Sequence, residues 1–272
     1  MTVPAQLARL RSLIIDMDGV LCRGSILIPG AGKFLDFLHQ MGIPFVLLTN
    51  NSTLTAAQYV AKLGHMGIEI EEDRILTSAD ATARYLLGVA PPGTEVYAIG
   101  EDGVHTALEK RGFVLRDDAD VAYVVVGSDR GFTYRKMATA TLAIRAGAGF
   151  IGTNPDRTFP SELGQLPGTG AILAAIEAAT GMAPLIIGKP QPAIFELALQ
   201  KLGAGAGTTA MVGDRLDTDI LGGHQLGLAT ILLLSGVTDA QQLATSALVP
   251  DLVYEDVEVL HHAWRDAMVR RD

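Results

Sequence analysis

Short apolar runs alternate with helix-period segments along almost the whole chain, and this alternation restricts the fold more than any other feature. Residues 10–17 form a short apolar run that reads as a buried strand. Over 32–41, Phe34, Leu35, Phe37 and Leu38 recur at helical spacing, and 43–48 reads as a second buried strand. Residues 55–63 read as a helix, with Thr55 and Gln58 as a capping box and Gly64 as its stop. Strand, helix, strand, helix predicts an α/β fold with a Rossmann-like parallel sheet and right-handed crossovers.

The texture changes in the middle. Pro91, Pro92 and Gly93 break the pattern. Beyond them, strands are expected at 96–100, 121–127 and 150–152, helices at 103–110 and 133–145, and a Gly- and Pro-rich loop over 153–170. Residues 188–190 open a helix running to 202, strands follow at 209–212 and 229–234, and a helix lies between them at 217–225. A chain of 272 residues suits one large α/β domain or a mid-sized core carrying an inserted module. The middle block is itself α/β and fits both.

Composition narrows the function. The formal net charge is −9 and the isoelectric point is near 5.1, so there is no broad basic surface for a nucleic-acid polymer. A small anionic substrate stays open, provided a metal or a placed Lys supplies local positive charge. An apolar fraction of 49% builds a real core and excludes disorder. Mean hydropathy is high at +0.30, which raises the question of a membrane span. The most apolar long window, 168–188, contains Glu177, Pro184 and several glycines among small alanines. It reads as a small-residue helix leading into a buried strand. Gln6, Arg9 and Arg11 interrupt any apolar signal core near the N-terminus. Cys22 is the one cysteine, so no disulfide framework forms within the chain, and the scattered histidines give no Cys/His zinc site. The expectation is a cytoplasmic protein, not a membrane one, whose available metal ligands are carboxylates.

Four stretches place polar groups just after an apolar strand, where open parallel sheets bind ligands. In the first, Asp16 and Asp18 flank Met17 on an extended segment, so both carboxylates point to one side, and Gly19 permits a sharp turn. Like charges this close need a shared cation or proton; an ordinary Asp-Gly turn is the other reading. In the second, Thr49, Asn50, Asn51 and Ser52 offer hydroxyl and amide donors suited to a phosphate oxygen, or to a plain helix-capping turn. The third is Lys189, between Gly188 and Pro190: a solvated surface group, or a counter-charge for the two carboxylates. In the fourth, Asp214, Asp217 and Asp219 follow a strand at a helix start. They favour the helix dipole, and Asp214 is placed to complete a hard oxygen site for Mg²⁺.

In this order the four stretches resemble the motifs of the haloacid dehalogenase superfamily of phosphotransferases. Asp16 to Val20 resembles its first motif, Thr49 and Asn50 its second, Lys189 its third, and Gly213 and Asp214 with Thr218 and Asp219 its fourth. The phrases from Leu48 to Ser52, Val126 to Tyr134, Gly152 to Asp156 and Gly213 to Ile220 are similar to the NagD and p-nitrophenyl phosphatase branch. The resemblance covers nearly the whole chain.

That resemblance implies a catalytic core over 1–79 and 186–272, with an α/β cap inserted over 80–185. It implies that Asp16 is the nucleophile, forming an aspartyl-phosphate, and that Asp18 protonates the leaving oxygen and then activates water. Mg²⁺ would bind Asp16, the backbone carbonyl of Asp18, and Asp214, with Asp219 orienting a water on the ion. Thr49 and Asn50, with Asn51, would hold phosphate oxygens, and Lys189 would neutralise Asp16 and the transferring group. Asp18 also favours phosphate ester hydrolysis over dehalogenation, which needs neither a metal nor an acid two residues on. Arg130, Asn154 and Asp156 lie in the cap phrases and face the leaving group or simply build turns. Pro167 to Gly170 lacks the Lys-Ser/Thr of a Walker A motif and reads as a tight loop into a helix. Cys22 reads as a packed or partly exposed thiol, with redox gating as the lesser reading, and His224 reads as a helix-face residue. The substrates implied are small phosphate monoesters: nucleotide monophosphates, phosphoglycolate, pyridoxal phosphate or sugar phosphates. A homodimer through the cap is a further implication. A phospho-accepting receiver and a catalytically silent phosphate binder are the competing classes; repeated phosphate release separates an enzyme from either.

Overall fold

A computed structural model describes residues 6–161 and 164–269; residues 162 and 163, inside the loop expected over 153–170, lie outside the described residues. The chain divides into two units. One comprises Met1–Thr49, Val60–Ile75 and Phe195–Asp272, the other Asn50–Tyr59 and Leu76–Ile194.

A six-stranded sheet runs in the order Leu252–Tyr254, Ala229–Leu233, Thr209–Gly213, Ser12–Asp16, Phe45–Thr49, Ile75–Thr77, and its first five strands belong to the first unit. The strands Ser12–Asp16, Phe45–Thr49 and Thr209–Gly213 are buried at every residue. That is why they read as unbroken apolar runs rather than alternating ones: a parallel sheet is covered on both faces. Ser12–Asp16 pairs in parallel with Phe45–Thr49 on one side and with Thr209–Gly213 on the other. Ser12 stands opposite Thr209, and their buried hydroxyls satisfy each other at 2.7 Å. Parallel pairing brings Asp16, Thr49 and Gly213 to the same end of three adjacent strands.

The helix Ala31–Gln40 packs against Val257–Val269. Phe34 meets Trp264 at 6.2 Å between ring centroids, and Phe37 meets His261 at 4.9 Å. Gly30 turns into the first helix at φ 83°, under Glu258, where a side chain at Gly30 would collide with Glu258 Cβ.

The second unit has a five-stranded sheet in the order Leu185–Ile186, Gly149–Gly152, Tyr123–Val126, Glu95–Ile99, Val114–Leu115, and every neighbouring pair is parallel. Tyr97, Ile99, Val124, Val126 and Phe150 belong to one apolar cluster with residues of the helices Tyr134–Arg145 and Thr169–Thr180. The alternation of strand and helix thus yields two extended sheets, one of six strands and one of five.

Several local expectations are corrected. Gly64 does not stop its helix, which runs over Ala56–His65; Gly67, at φ 84°, makes the left-handed exit. The capping box at the other end forms as read, with Thr55 and Gln58 exchanging bonds of 2.8 and 3.1 Å. The helix expected from 188–190 begins at Pro192 instead, because Gly188 accepts a turn bond from the Gln191 N–H. Residues 153–170 are not all loop: Thr158–Ser161 and Gly164–Pro167 pair as an antiparallel ribbon. The helix expected over 217–225 is a π turn, Leu216–Ile220, running into a short α segment, Leu221–Gln225. Among the described residues no helix is long and apolar enough to cross a membrane; the window 168–188 holds the helix Thr169–Thr180 and the strand Leu185–Ile186.

His261 gives this unit a pH-sensitive joint. Burial holds its pKa below the ordinary value, and Arg265, His262 and Lys33 add to this while Glu258 opposes it. The folded state therefore binds fewer protons than the unfolded state just below the ordinary histidine pKa. The contribution is complete above about pH 6.5 and is lost as pH falls. The thermal midpoint should drop between pH 7 and 5, and His261→Gln should flatten part of that drop; an unchanged slope in the variant would assign the effect to other groups.

Candidate active site

In the first unit, the strand Ser12–Asp16 ends on Asp16, and the strand Thr209–Gly213 delivers Asp214 one residue past its end. Asp219 comes back to them through the π turn. A ligand oxygen from each of Asp16, Asp214 and Asp219 lies within 4.8 Å of the other two. All three side chains are buried.

Each acid is held by its own backbone neighbours. Asp219 Oδ2 accepts from the N–H groups of Asp214 at 3.2 Å and Arg215 at 3.1 Å. This fold-back crosses Gly213, where a Cβ would overlap the Asp219 carboxylate. Asp214 Oδ2 accepts from the Val237 N–H at 2.6 Å, and Gly19 and Gly236 close on the same oxygen. A side chain at either glycine would displace it. Ser235 Oγ donates to the Gly19 carbonyl at 2.8 Å, and Arg23 donates to the Ser235 carbonyl from Nε at 3.0 Å.

Asp18 is more open, with 43% of its side chain exposed, and Lys62 Nζ lies 4.0 Å from its Oδ1. Cys22 is fully buried beside it; burial first, and then the Asp18 charge, push the thiol pKa up to about 11. Thr49 is buried at the end of its strand.

In the second unit, Asn50 and Lys189 meet across a long stretch of sequence. Asn50 Oδ1 accepts from the Lys189 N–H at 2.8 Å, and Asn50 Nδ2 donates to the Lys189 carbonyl and to Asp156 Oδ2, both at 3.1 Å. The Asn50 carbonyl accepts from Ser78 Oγ at 2.6 Å and from Asn154 Nδ2 at 2.7 Å. Asn51 turns its amide oxygen inward to Thr53, accepting from N–H at 2.9 Å and from Oγ1 at 2.8 Å.

Two family profiles match the chain: haloacid dehalogenase-like hydrolase over residues 13–114, and HAD-hydrolase-like over 186–260. The acid sugar phosphatase of Staphylococcus aureus (strain USA300) is 42% identical over 247 residues, spanning 91% of this chain and 95% of its own. The crystal structure of 4-nitrophenylphosphatase from Thermotoga maritima superposes with a TM-score of 0.91 at 36% identity, covering 94% and 98% of the two chains. NagD from E. coli K-12 superposes at 0.85, with 36% identity over 92% and 97%. The chain belongs to the haloacid dehalogenase-like hydrolase family. It stands in the NagD and p-nitrophenylphosphatase branch, and it is an enzyme of the phosphatase class, a phosphoric monoester hydrolase.

For this haloacid dehalogenase-like hydrolase, the sequence singled out Asp16, Asp214 and Asp219, and the structure brings these three together. The Asp18 side chain lies outside that trio. In the other unit, the cap residues differ among themselves. Asn154 is buried, donating to Asn50, Thr153 and Thr169 and accepting from the Asp156 N–H at 3.2 Å. Arg130 is 73% exposed and grips Glu101 with two nitrogens, which holds the Glu101 carboxyl below its usual range. Gly168 and Gly170 are glycines because the backbone there passes directly over the carbonyls of Asp156 and Pro155. His224 belongs to a structural group with Thr230 and Asp251, its Nε2 at 3.1 Å from Thr230 Oγ1.

The sequence reading missed Ser235, Gly236 and Val237, which cradle Asp214. They follow the strand Ala229–Leu233, so the same strand-end rule points to them. It also missed Lys62, whose helical position carries no signal of its nearness to Asp18.

Three buried carboxylates this close fit a hard divalent cation, which would offset charges that otherwise repel. Millimolar Mg²⁺ should therefore raise the thermal midpoint, by up to about 3 kcal/mol of added stability near 100 times Kd. Gly236→Ala, which pushes on Asp214, should lose most of that rise in a melting assay. An equal rise in the variant would take Asp214 out of the ion site.

Proposed function

We propose that the enzyme hydrolyses small organic phosphate monoesters through an aspartyl-phosphate on Asp16, with Mg²⁺ as its ion. The observation that carries this reading is the buried trio of Asp16, Asp214 and Asp219 on parallel strand ends of a haloacid dehalogenase-like hydrolase. Asp16, the backbone carbonyl of Asp18, and Asp214 would hold the ion, and Asp219 would orient its water. Bound there, Mg²⁺ neutralises the acidic cluster and stabilises charge on the transferring group.

Asp16 attacks phosphorus with a carboxylate oxygen, and the bond from phosphorus to the ester oxygen breaks. Asp18 gives its proton to that leaving oxygen. The Asp18 carboxylate then takes a proton from water, whose oxygen attacks the phosphoryl group and releases Asp16 and inorganic phosphate. Thr49 holds a phosphate oxygen through its hydroxyl, and Asn51 assists. Asn50 does so through its main chain, since its side-chain N–H bonds go to Lys189 and Asp156. Lys189 supplies positive charge for Asp16 and the transferring group. Phosphoryl transfer asks the protein mainly for such positioning and charge.

The same proposal assigns 80–185 as an inserted cap that selects the leaving group, with Arg130, Asn154 and Asp156 as specificity residues and with homodimer contacts. A cytoplasmic setting agrees with the single free, buried Cys22. Sugar phosphates are the first esters to screen, given the acid sugar phosphatase relative, ahead of nucleotide monophosphates, phosphoglycolate and pyridoxal phosphate.

Phosphate release from p-nitrophenyl phosphate should need Mg²⁺ and stop with EDTA. Asp16→Asn should lose at least ~10³-fold, about 4 kcal/mol of transition-state stabilisation. Full activity in that variant removes the nucleophile. A stable phosphorylated Asp16 without turnover moves the protein to the receiver class.

A further inference from the structure

The carboxamide of Asn50 meets both backbone polar groups of one residue, 139 positions away. Its oxygen takes the Lys189 N–H at 2.8 Å, and its nitrogen reaches the Lys189 carbonyl at 3.1 Å. This is the pairing that a neighbouring strand would provide, made by a side chain. A carboxylate oxygen of Asp156 receives the second N–H of the same nitrogen at 3.1 Å. An ionised carboxylate only accepts, and the Lys189 N–H only donates, so the two partners fix which end of the amide faces which way. Gly188 makes the approach possible: a Cβ there would stand 2.8 Å from Asn50 Oδ1 and overlap the Thr153 carbonyl. Lys189 itself is 2% exposed, so its ammonium is carried by a backbone with little room to shift.

We infer that Asn50 is a positioning residue for Lys189: its side chain fixes the lysine backbone and serves the reaction through that lysine. The inference rests on the phosphatase reading, in which Lys189 supplies charge to the transferring group. A misplacement of about 1 Å in such a group costs on the order of 10²-fold in rate.

The test uses the full-length enzyme, p-nitrophenyl phosphate and saturating Mg²⁺. Wild type, Asn50→Ala, Asn50→Asp, Lys189→Met and the two double variants are compared for kcat, KM and thermal midpoint. Asn50→Asp has nearly the same shape, keeps an acceptor for the Lys189 N–H and loses both donors; it carries the test if Asn50→Ala does not fold. Each Asn50 variant should lose about 10²-fold in kcat, with KM within about threefold of wild type. Added to Lys189→Met, neither should lower kcat by more than about threefold further, because the two residues act as one unit. Losses that multiply in the double variants overturn the inference. So does a large rise in KM for Asn50→Asp, because a carboxylate beside bound phosphate repels it, which would make the Asn50 side chain a direct ligand. Wild type without turnover, or Lys189→Met at full activity, overturns the phosphatase reading and this inference with it, a pattern distinct from either of the others.

Discussion

Repulsion among buried carboxylates is the constraint on which the first unit is built. Asp16, Asp214 and Asp219 hold ligand oxygens within 4.8 Å of one another, and all three side chains are buried. Such a cluster is costly without a cation or shared protons. The surrounding backbone reflects that cost. Asp219 is neutralised in part by two N–H groups, Asp214 by the N–H of Val237, and three glycines leave the carboxylates space that any side chain would take. The parallel sheet supplies the rest, because parallel register is what delivers the ends of adjacent strands to one place.

The sequence was most legible where one physical rule acts alone. Apolar runs buried on both faces announced the strands Ser12–Asp16, Phe45–Thr49 and Thr209–Gly213, and the acids at the ends of the first and third announced the carboxylate cluster. It was least legible where two rules compete. Gly64 carries the usual mark of a helix end, yet intrahelical bonding carries the helix to His65 and the left-handed turn falls on Gly67. Pro190 looks like a helix start, but Pro192 opens the helix after a turn closed by Gly188. The π turn after Asp214 has no sequence period at all; it exists because Asp219 must fold back over Gly213.

The Thr49 to Ser52 stretch shows the same lesson at the site. Read as sequence, its amides and hydroxyls are equivalent donors. In the structure they are divided: Asn50 spends its side chain on Lys189 and Asp156, Asn51 folds onto Thr53, and Ser52 Oγ takes the N–H of Ser128 at 3.0 Å. The partners lie far off in sequence, so no local pattern discloses the division. A donor-rich loop therefore announces that hydrogen bonds will be made, without saying whether the ligand or the fold receives them.

The bonds between Asn50 and Lys189 also bear on how freely the chain between them can change. They pin together two points 139 positions apart, so everything in between is a closed loop. Closure entropy grows only with the logarithm of loop length, about 0.6 kcal/mol for each doubling. Once the two ends are pinned, lengthening or replacing the intervening segment costs little at the pin itself. The Asn50–Lys189 fastening is thus a point at which a change of length in the intervening chain leaves the lysine backbone where it is held.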